Sequence, residues 1–387
     1  MVRPEARENR HSPGDLKQYQ SLSMESKIIL TQERIRAWHE SWTRFEIYDK
    51  ETGKTRFVTH DTRDYSEPPM KKTEWIERAW PGAVYVSFSG GKDSTVLKHI
   101  VDSMYDDVPS LFVNTGLEYP EIQKFAMSQK NVVTVRPEMR FDEVIKKHGY
   151  PIISKRVSDY VKTAKRHPDS KRAKWIRGDE FTKFVTAGKY TYLIDSPFSV
   201  SARCCDIMKK APAKRYQKET GRMPMIGTMA CESVNRANMW MVNGCNGFDM
   251  KNPVSNPMAF WTEQDVLHYI KKYDVPYCSV YGDIQVKQVV DNDRVFEGQI
   301  NMIDYLGCYE PEDTLETTGC NRTGCIFCGF GCHLEKEPNR FQRLKQTHPR
   351  QYNYCINGGE MIDGKWQPNK EGLGLGRVLD YIGVKYD

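Results

Sequence analysis

Residues 87–94 read Ser-Phe-Ser-Gly-Gly-Lys-Asp-Ser, between an apolar run at 83–86 and the helix-forming run Thr-Val-Leu-Lys-His-Ile-Val at 95–101. A strand, a glycine turn and a helix are thereby set in one order. Glycines let the backbone approach an anion closely, and the helix start that follows presents unpaired N–H groups and the positive dipole end. Ser87, Ser89 and Ser94 add hydroxyls, Lys92 a point charge and Asp93 a carboxylate. A phosphate chain is the guest this chemistry suits. The pair Gly90-Gly91 alone would fit any strand-to-helix turn; the whole octapeptide in its context specifies a nucleotide site.

The segments around it continue the alternation. Strands are expected at 83–88, 110–114, 132–136 and 225–229, with helices at 93–104 and 120–129. Strands alternating with helices imply an α/β parallel sheet covered on both faces. Ligands of such sheets sit beyond the strand carboxyl ends. There the glycine loop, the segment 114–119 and the turn at Gly227 would share one cleft. A helix begins near 263, with Thr262 as N-cap and Asp265 near its third position. Ahead of the core, residues 1–24 read as disordered or loosely attached, and 31–42 as an amphipathic helix carrying Ile35, Trp38 and Trp42. Residues 44–49 and 55–59 read as a hairpin, and 72–79 as a short helix. This gives three regions: an extension at 1–80, a nucleotide-binding domain at 81–275 and a cysteine-rich region at 276–387.

No apolar run approaches the roughly 20 residues that span a bilayer, and the first ten residues carry no secretory core. The expectation is a cytoplasmic protein without membrane contact. Eleven cysteines then point to metal or redox chemistry before disulfides. The net charge is +6, and residues 155–190 hold eleven Lys/Arg against four Asp/Glu, enough to account for all of it. Tyr160, Trp175, Phe181, Phe184 and Tyr190 are interleaved. The segment reads either as a nucleic-acid contact or as a solvated helical face with its rings turned inward.

The octapeptide lacks the Walker spacing, which puts four residues between the first glycine and Gly-Lys. It resembles the PP-loop of ATP pyrophosphatases and of the phosphoadenosine phosphosulfate (PAPS) reductase family, in particular phage- and prophage-type members. Three further stretches within 80–350 share the likeness. Residues 113–121 resemble a strand-end Asp-Thr-Gly segment, with Asn114 in place of the aspartate and Gly116 retained. Ser233-x-x-Arg236, after Gly227, is similar to the family's phosphate-meeting Ser-x-x-Arg. The fourth stretch is the cysteine set. The resemblance implies a Rossmann-like adenine nucleotide alpha hydrolase core, a five-stranded sheet and a nucleotide bent over the glycine loop. It would be held by residues 87, 89–94, Asn114, Gly116 and Gly227, with Lys92, Asp93, Lys209 and Arg236 acting in catalysis. Asp93 either caps the helix or orients magnesium.

Cys204-Cys205 is an adjacent pair, and Cys325-x-x-Cys328 lies in a glycine-rich stretch with Cys320, Cys332 and His333. Thiolates two residues apart suit one metal centre. Spacing leaves two sets open, Cys204/Cys205/Cys325/Cys328 or Cys320/Cys325/Cys328/Cys332, and leaves zinc beside iron. The resemblance implies a 4Fe–4S cluster on the first set. Cys231, Cys245, Cys278, Cys308 and Cys355 read as apolar filler.

The chain departs from sulfonucleotide reductases in lacking a terminal Glu-Cys-Gly-Leu-His segment, and lysines follow its cysteine pair. An enzyme is therefore expected that binds ATP with Mg2+, adenylates an acceptor with pyrophosphate release, and lets an unidentified sulfur donor displace AMP. The alternatives are an adenylyl-sulfate or PAPS reductase, with Cys332 or Cys355 as nucleophile, and a non-catalytic nucleotide-sensing or nucleic-acid-binding regulator.

Overall fold

The computed structural model describes residues 10–63, 67–178, 185–287 and 313–387. In chain order the amino-terminal part forms α1 (Pro13–Gln20), α2 (Met24–Glu40), β1 (Trp42–Asp49), β2 (Lys54–Asp61) and β3 (Glu74–Pro81). The core follows as β4 (Val84–Phe88), α3 (Lys92–Asp102), β5 (Ser110–Val113), α4 (Pro120–Ser128) and β6 (Val132–Val135). Next come α5 (Phe141–His148), β7 (Ile152–Ile153), α6 (Lys155–Arg166), α7 (Lys171–Arg177) and α8 (Ala211–Thr220). The chain then forms β8 (Met223–Ile226), α9 (Val234–Asn243), β9 (Asn246–Gly247), β10 (Val254–Ser255) and α10 (Glu263–Lys272).

These elements form two compact units. The first comprises Met1–Phe112, Pro120–Val133 and Gln217–Arg322, the second Val113–Tyr119, Thr134–Tyr216 and Thr323–Asp387. The amino-terminal extension thus belongs to the unit that holds the glycine loop. Residues 313–322 go with it, and the Cys325–Cys328 stretch goes with the second unit.

The six-stranded sheet has the order β6-β5-β4-β8-β10-β9. β4 runs parallel to β5 and β8, β10 runs parallel to β8, and β9 is an antiparallel edge strand. The mixed α/β fold with a mostly parallel sheet is as expected, with one edge strand more than the five anticipated. Val84, Val86, Val96, Leu97 and Met225 are buried. They are packed with Ile35, Trp38, Trp42 and Trp261 into the first unit's core. α10 starts as anticipated, with Thr262 and Asp265 forming a capping box.

Two expectations fail at the amino terminus. Residues 72–79 are not helical: β3 is a strand, paired antiparallel with β1 beside the β1–β2 hairpin. Glu, Arg and Ala there favour a helix locally, but β1 offers an open edge, and the large rings of Trp75 and Trp80 suit a pleated surface. Residues 10–24 are not loose either. Pro13 opens α1, Ser12 caps it, and His11 stacks on Trp240 at 4.4 Å.

Lys27 of α2 is buried and pairs with Asp265 at 2.7 Å, tying the extension to the start of α10. Removing one partner of a buried pair strands the other. Lys27→Met is expected to cost about 3–5 kcal/mol, read as a lowered urea midpoint at unchanged slope.

Among the described residues no helix is long and apolar enough to cross a membrane.

Candidate functional site

The glycine loop lies where β4 gives way to α3. Gly90 has φ +72°, and a Cβ there would stand 3.0 Å from Ile122 Cγ2 and 3.2 Å from its carbonyl oxygen. Only glycine lets the chain turn this close to α4. Gly91 is the helix N-cap and supplies no side-chain cap. Ser94 Oγ accepts from Ser89 N at 3.1 Å, lies 3.0 Å from Ser89 Oγ and donates to the Gly91 carbonyl at 2.9 Å. Ser89 and Ser94 thus brace the loop. Gly227, just past β8, meets the same turn: a Cβ on it would come within 3.0 Å of the Asp93 carbonyl oxygen.

Lys92 is buried. Its ammonium donates to the Asn321 carbonyl at 2.5 Å and pairs with Glu263 at 2.7 Å, while its backbone N–H donates to Tyr281 Oη at 3.2 Å. Arg236 and Arg322 both pair with Glu232. A cavity of about 190 Å³ includes Thr228, Met229, Arg236 and Asn256 in its lining, residues that follow β8 and β10.

Asp93 does not cap α3, which rules out the first of its two expected roles. Its Oδ1 is shut off from solvent without a hydrogen-bond partner among the described residues. Burial pushes its carboxyl up to about 6; Glu232 and Glu263 add to the rise, while Lys92 and Arg322 oppose it. A raised acid stabilises the fold while it is neutral, below about pH 4, and that contribution is lost as pH rises through about 6. The rise from 3.8 corresponds to about 3 kcal/mol. Asp93→Asn should therefore stabilise the unliganded protein at pH 7.5. The gain should vanish toward pH 4 in urea unfolding followed across pH.

All four cysteines of the split set lie in the second unit. The Cys204 and Cys205 sulfurs are 4.0 Å apart. The charges of Cys325 and Cys328 act on Cys204, and that of Cys205 on Cys328. Burial pushes the Cys325 thiol up to about 11, and that of Cys328 upward. Cys205 is shifted the other way, first by the Cys204 hydrogen bond and then by Lys155 and Lys209. Lys209 sits in a π-helical turn, Asp206–Lys210. It is hydrogen-bonded to Cys325 and held charged by Cys325 and Glu118 against the cost of burial. Among the described residues no three Cys, His, Asp or Glu side chains converge tightly enough to hold an ion as they stand. The donor set nevertheless suits a thiophilic metal: four thiols in one unit, with the Lys209 ammonium hydrogen-bonded to one of them.

Asn114 and Gly116 also belong to the second unit, in a turn where Gly116 N donates to Asn114 Oδ1 at 3.1 Å and Gly116 has φ +74°. Cys332 is buried with its Sγ 3.1 Å from the Gly329 carbonyl, and Cys320 falls in the first unit. His333 Nε2 lies 2.9 Å from Tyr190 Oη. Cys245, Cys278 and Cys355 are buried as expected of filler, but Cys231 is exposed, following the turn after β8 out to the surface. Cys308 lies outside the described residues.

In the basic segment, Lys165 is turned inward and donates to the Ser196 and Phe198 carbonyls, both at 2.8 Å. Arg172 pairs with Asp159, and Tyr160 is buried. Phe181 and Phe184 lie outside the described residues.

A comparison with protein-family models matches residues 83–180 and 179–329 to the phosphoadenosine phosphosulfate reductase domain. Among curated proteins, the chain is similar to an uncharacterized protein of Methanocaldococcus jannaschii, 24% identical over 281 residues. That match covers 71% of this chain and 47% of the relative, so the chain spans about half of that protein's length. It is also similar to an adenosine 5'-phosphosulfate reductase of Staphylococcus haemolyticus, 23% identical over 57% of this chain and 74% of the relative. The matched residues run from β4 and its glycine loop through the Cys325–Cys328 stretch, and on that extent the chain belongs to the phosphoadenosine phosphosulfate reductase domain family.

Proposed function

We propose that the protein is an enzyme that binds ATP with Mg2+ at the glycine loop, adenylates an acceptor and releases pyrophosphate for a later sulfur transfer. The observation that carries this reading is Asp93 Oδ1, shut off from solvent without a hydrogen-bond partner among the described residues, at the first turn of a helix that opens with a bare glycine cap. Mg2+ arriving with ATP gives that oxygen a partner. The amides of Gly91 and Lys92, the hydroxyls of Ser87, Ser89 and Ser94, and the Lys92 ammonium hold the phosphates. Gly227 leaves them room. An acceptor oxygen in the cavity beside Arg236 attacks the α-phosphorus, the bond to the bridging oxygen breaks, and pyrophosphate leaves. Arg236 offsets the charge that builds on the phosphoryl oxygens. A sulfur nucleophile then displaces AMP. In the second unit Cys204, Cys205, Cys325 and Cys328 would hold a 4Fe–4S cluster, or zinc, with Lys209 offsetting its negative charge. The cluster would supply a sulfur-handling or ordering role.

The relative named as an adenosine 5'-phosphosulfate reductase favours a second reading, reduction of an adenylyl sulfate. That reaction needs a thiolate nucleophile. Cys332 is buried with its thiol pushed up to about 11, and Cys355 is fully buried with its thiol likewise pushed up by burial. Neither is suited to the task.

Anaerobically purified protein incubated with ATP and Mg2+ should release pyrophosphate, faster with the right acceptor present. Sulfite from adenylyl sulfate and a dithiol, with no pyrophosphate from ATP, would establish the reductase instead. Nucleotide binding with neither product would leave a regulator.

A further inference from the structure

The three-stranded sheet β2-β1-β3 has one face unlike the rest of the surface. The register places Arg44, Glu46 and Tyr48 of β1 beside Thr55, Phe57 and Thr59 of β2, and beside Trp75, Arg78 and Trp80 of β3. Four rings therefore share a face, and cations lie on them. The Arg44 guanidinium lies 4.8 Å from the Phe57 ring and 4.6 Å from the Trp80 ring. Arg78 lies 4.9 Å from Trp80, and Lys50 lies 4.4 Å from Trp75. Tyr48 and Trp75 are 4.7 Å apart, Phe57 and Trp80 5.6 Å. The carboxylates among the paired positions of this face are Glu46 and, at the end opposite Trp42, Asp61, which pairs with Arg63.

Arg44 also donates to the Thr220 carbonyl at 3.0 Å, so the base of the face is fastened to the body of the first unit. Its far end is open: Trp75 is 37% exposed, and Lys50 and Arg78 are exposed. A tryptophan displayed on an open sheet between cations lacks the burial that would justify it as core.

We propose that this face binds single-stranded nucleic acid. Flat bases stack on aromatic rings whatever their sequence, and guanidinium and ammonium groups beside the rings take the phosphates. Same-face positions along a strand recur about every 7 Å, a step that an extended polynucleotide can follow. A duplex keeps its base faces covered and gains only the charge. The inference does not depend on what the glycine loop binds. It moves the nucleic-acid contact from residues 155–190, where Lys165 is turned inward and Arg172 pairs with Asp159, to the amino-terminal sheet.

The test is fluorescence anisotropy with labelled oligodeoxyribonucleotides and oligoribonucleotides of about 12 residues, beside a duplex of the same length, at low salt. At least one single strand should bind, tenfold or more tightly than the duplex, and should quench tryptophan emission. Trp75→Leu should weaken binding about tenfold or more, and Lys50→Glu with Arg78→Glu should do likewise. Circular dichroism and ATP affinity should be unchanged in both. The proposal is overturned by failure of both single strands to bind, by equal affinity for the duplex, or by indifference to the sheet variants. It is equally overturned if Lys171→Glu with Arg172→Glu abolishes binding and the sheet variants do not.

Discussion

Gly91→Asp is expected to give a chain that folds at least as well as the wild type and no longer binds ATP. Gly91 is the N-cap of α3 with φ −77° and ψ 155°, a conformation open to any residue. Aspartate is among the best N-cap residues, because its carboxylate accepts from the first free amides of the helix and favours the positive dipole end. Relative to glycine the cap should add a few tenths of a kcal/mol. The same carboxylate would then occupy the amides proposed to receive phosphate and add a negative charge beside Asp93. Folding and binding are thus pushed in opposite directions, which separates loss of the site from loss of the fold. Isothermal titration with Mg-ATP, beside thermal unfolding without nucleotide, reads both. Similar ATP affinity in the variant and the wild type would remove the glycine loop as the nucleotide site.

Legibility from sequence followed the range of the interactions. The glycine loop was readable because eight contiguous residues and a change of period around them determine it. The cap of α10 was readable for the same reason, since Thr262 and Asp265 sit three residues apart. β3 was misread because its helix-favouring residues are overruled by pairing with β1, 25 or more residues earlier in the chain. α1 was missed because it is short and polar; its anchor, the stacking of His11 on Trp240, joins residues far apart. Lys209 illustrates the same limit within the site. A lysine four residues after a cysteine pair can be read as a phosphate ligand, but its meeting with Cys325 and Glu118 exists only in the folded unit. The orphaned oxygen of Asp93 likewise depends on what fails to reach it.

Cys325→Ser should remove the metal centre proposed for the second unit, and Cys355→Ser should leave it whole. Cys325 is one of four thiols gathered in the second unit, it is hydrogen-bonded to Lys209, and its charge acts on Cys204. Serine is a poor substitute ligand for iron or zinc, since its hydroxyl does not ionise at neutral pH. Cys355 is more deeply buried than Cys325 but is not among the charges acting on those four thiols, and serine there changes only packing. Protein prepared without oxygen should be brown and carry about four irons per chain by cluster stoichiometry. The Cys325→Ser protein should be nearly colourless, with Cys204→Ser and Cys205→Ser alike. Iron, sulfide and zinc analysis decides between the metals: stoichiometric zinc without sulfide keeps the ligand set and changes the centre. Full metal content in Cys204→Ser and Cys205→Ser, with loss in Cys320→Ser and Cys332→Ser, would transfer the site to the local set. Lys209→Met supplies a further distinction. With the ammonium gone, a negatively charged cluster loses the cation hydrogen-bonded to Cys325, so its reduction potential should fall, whereas a zinc site has no potential to shift.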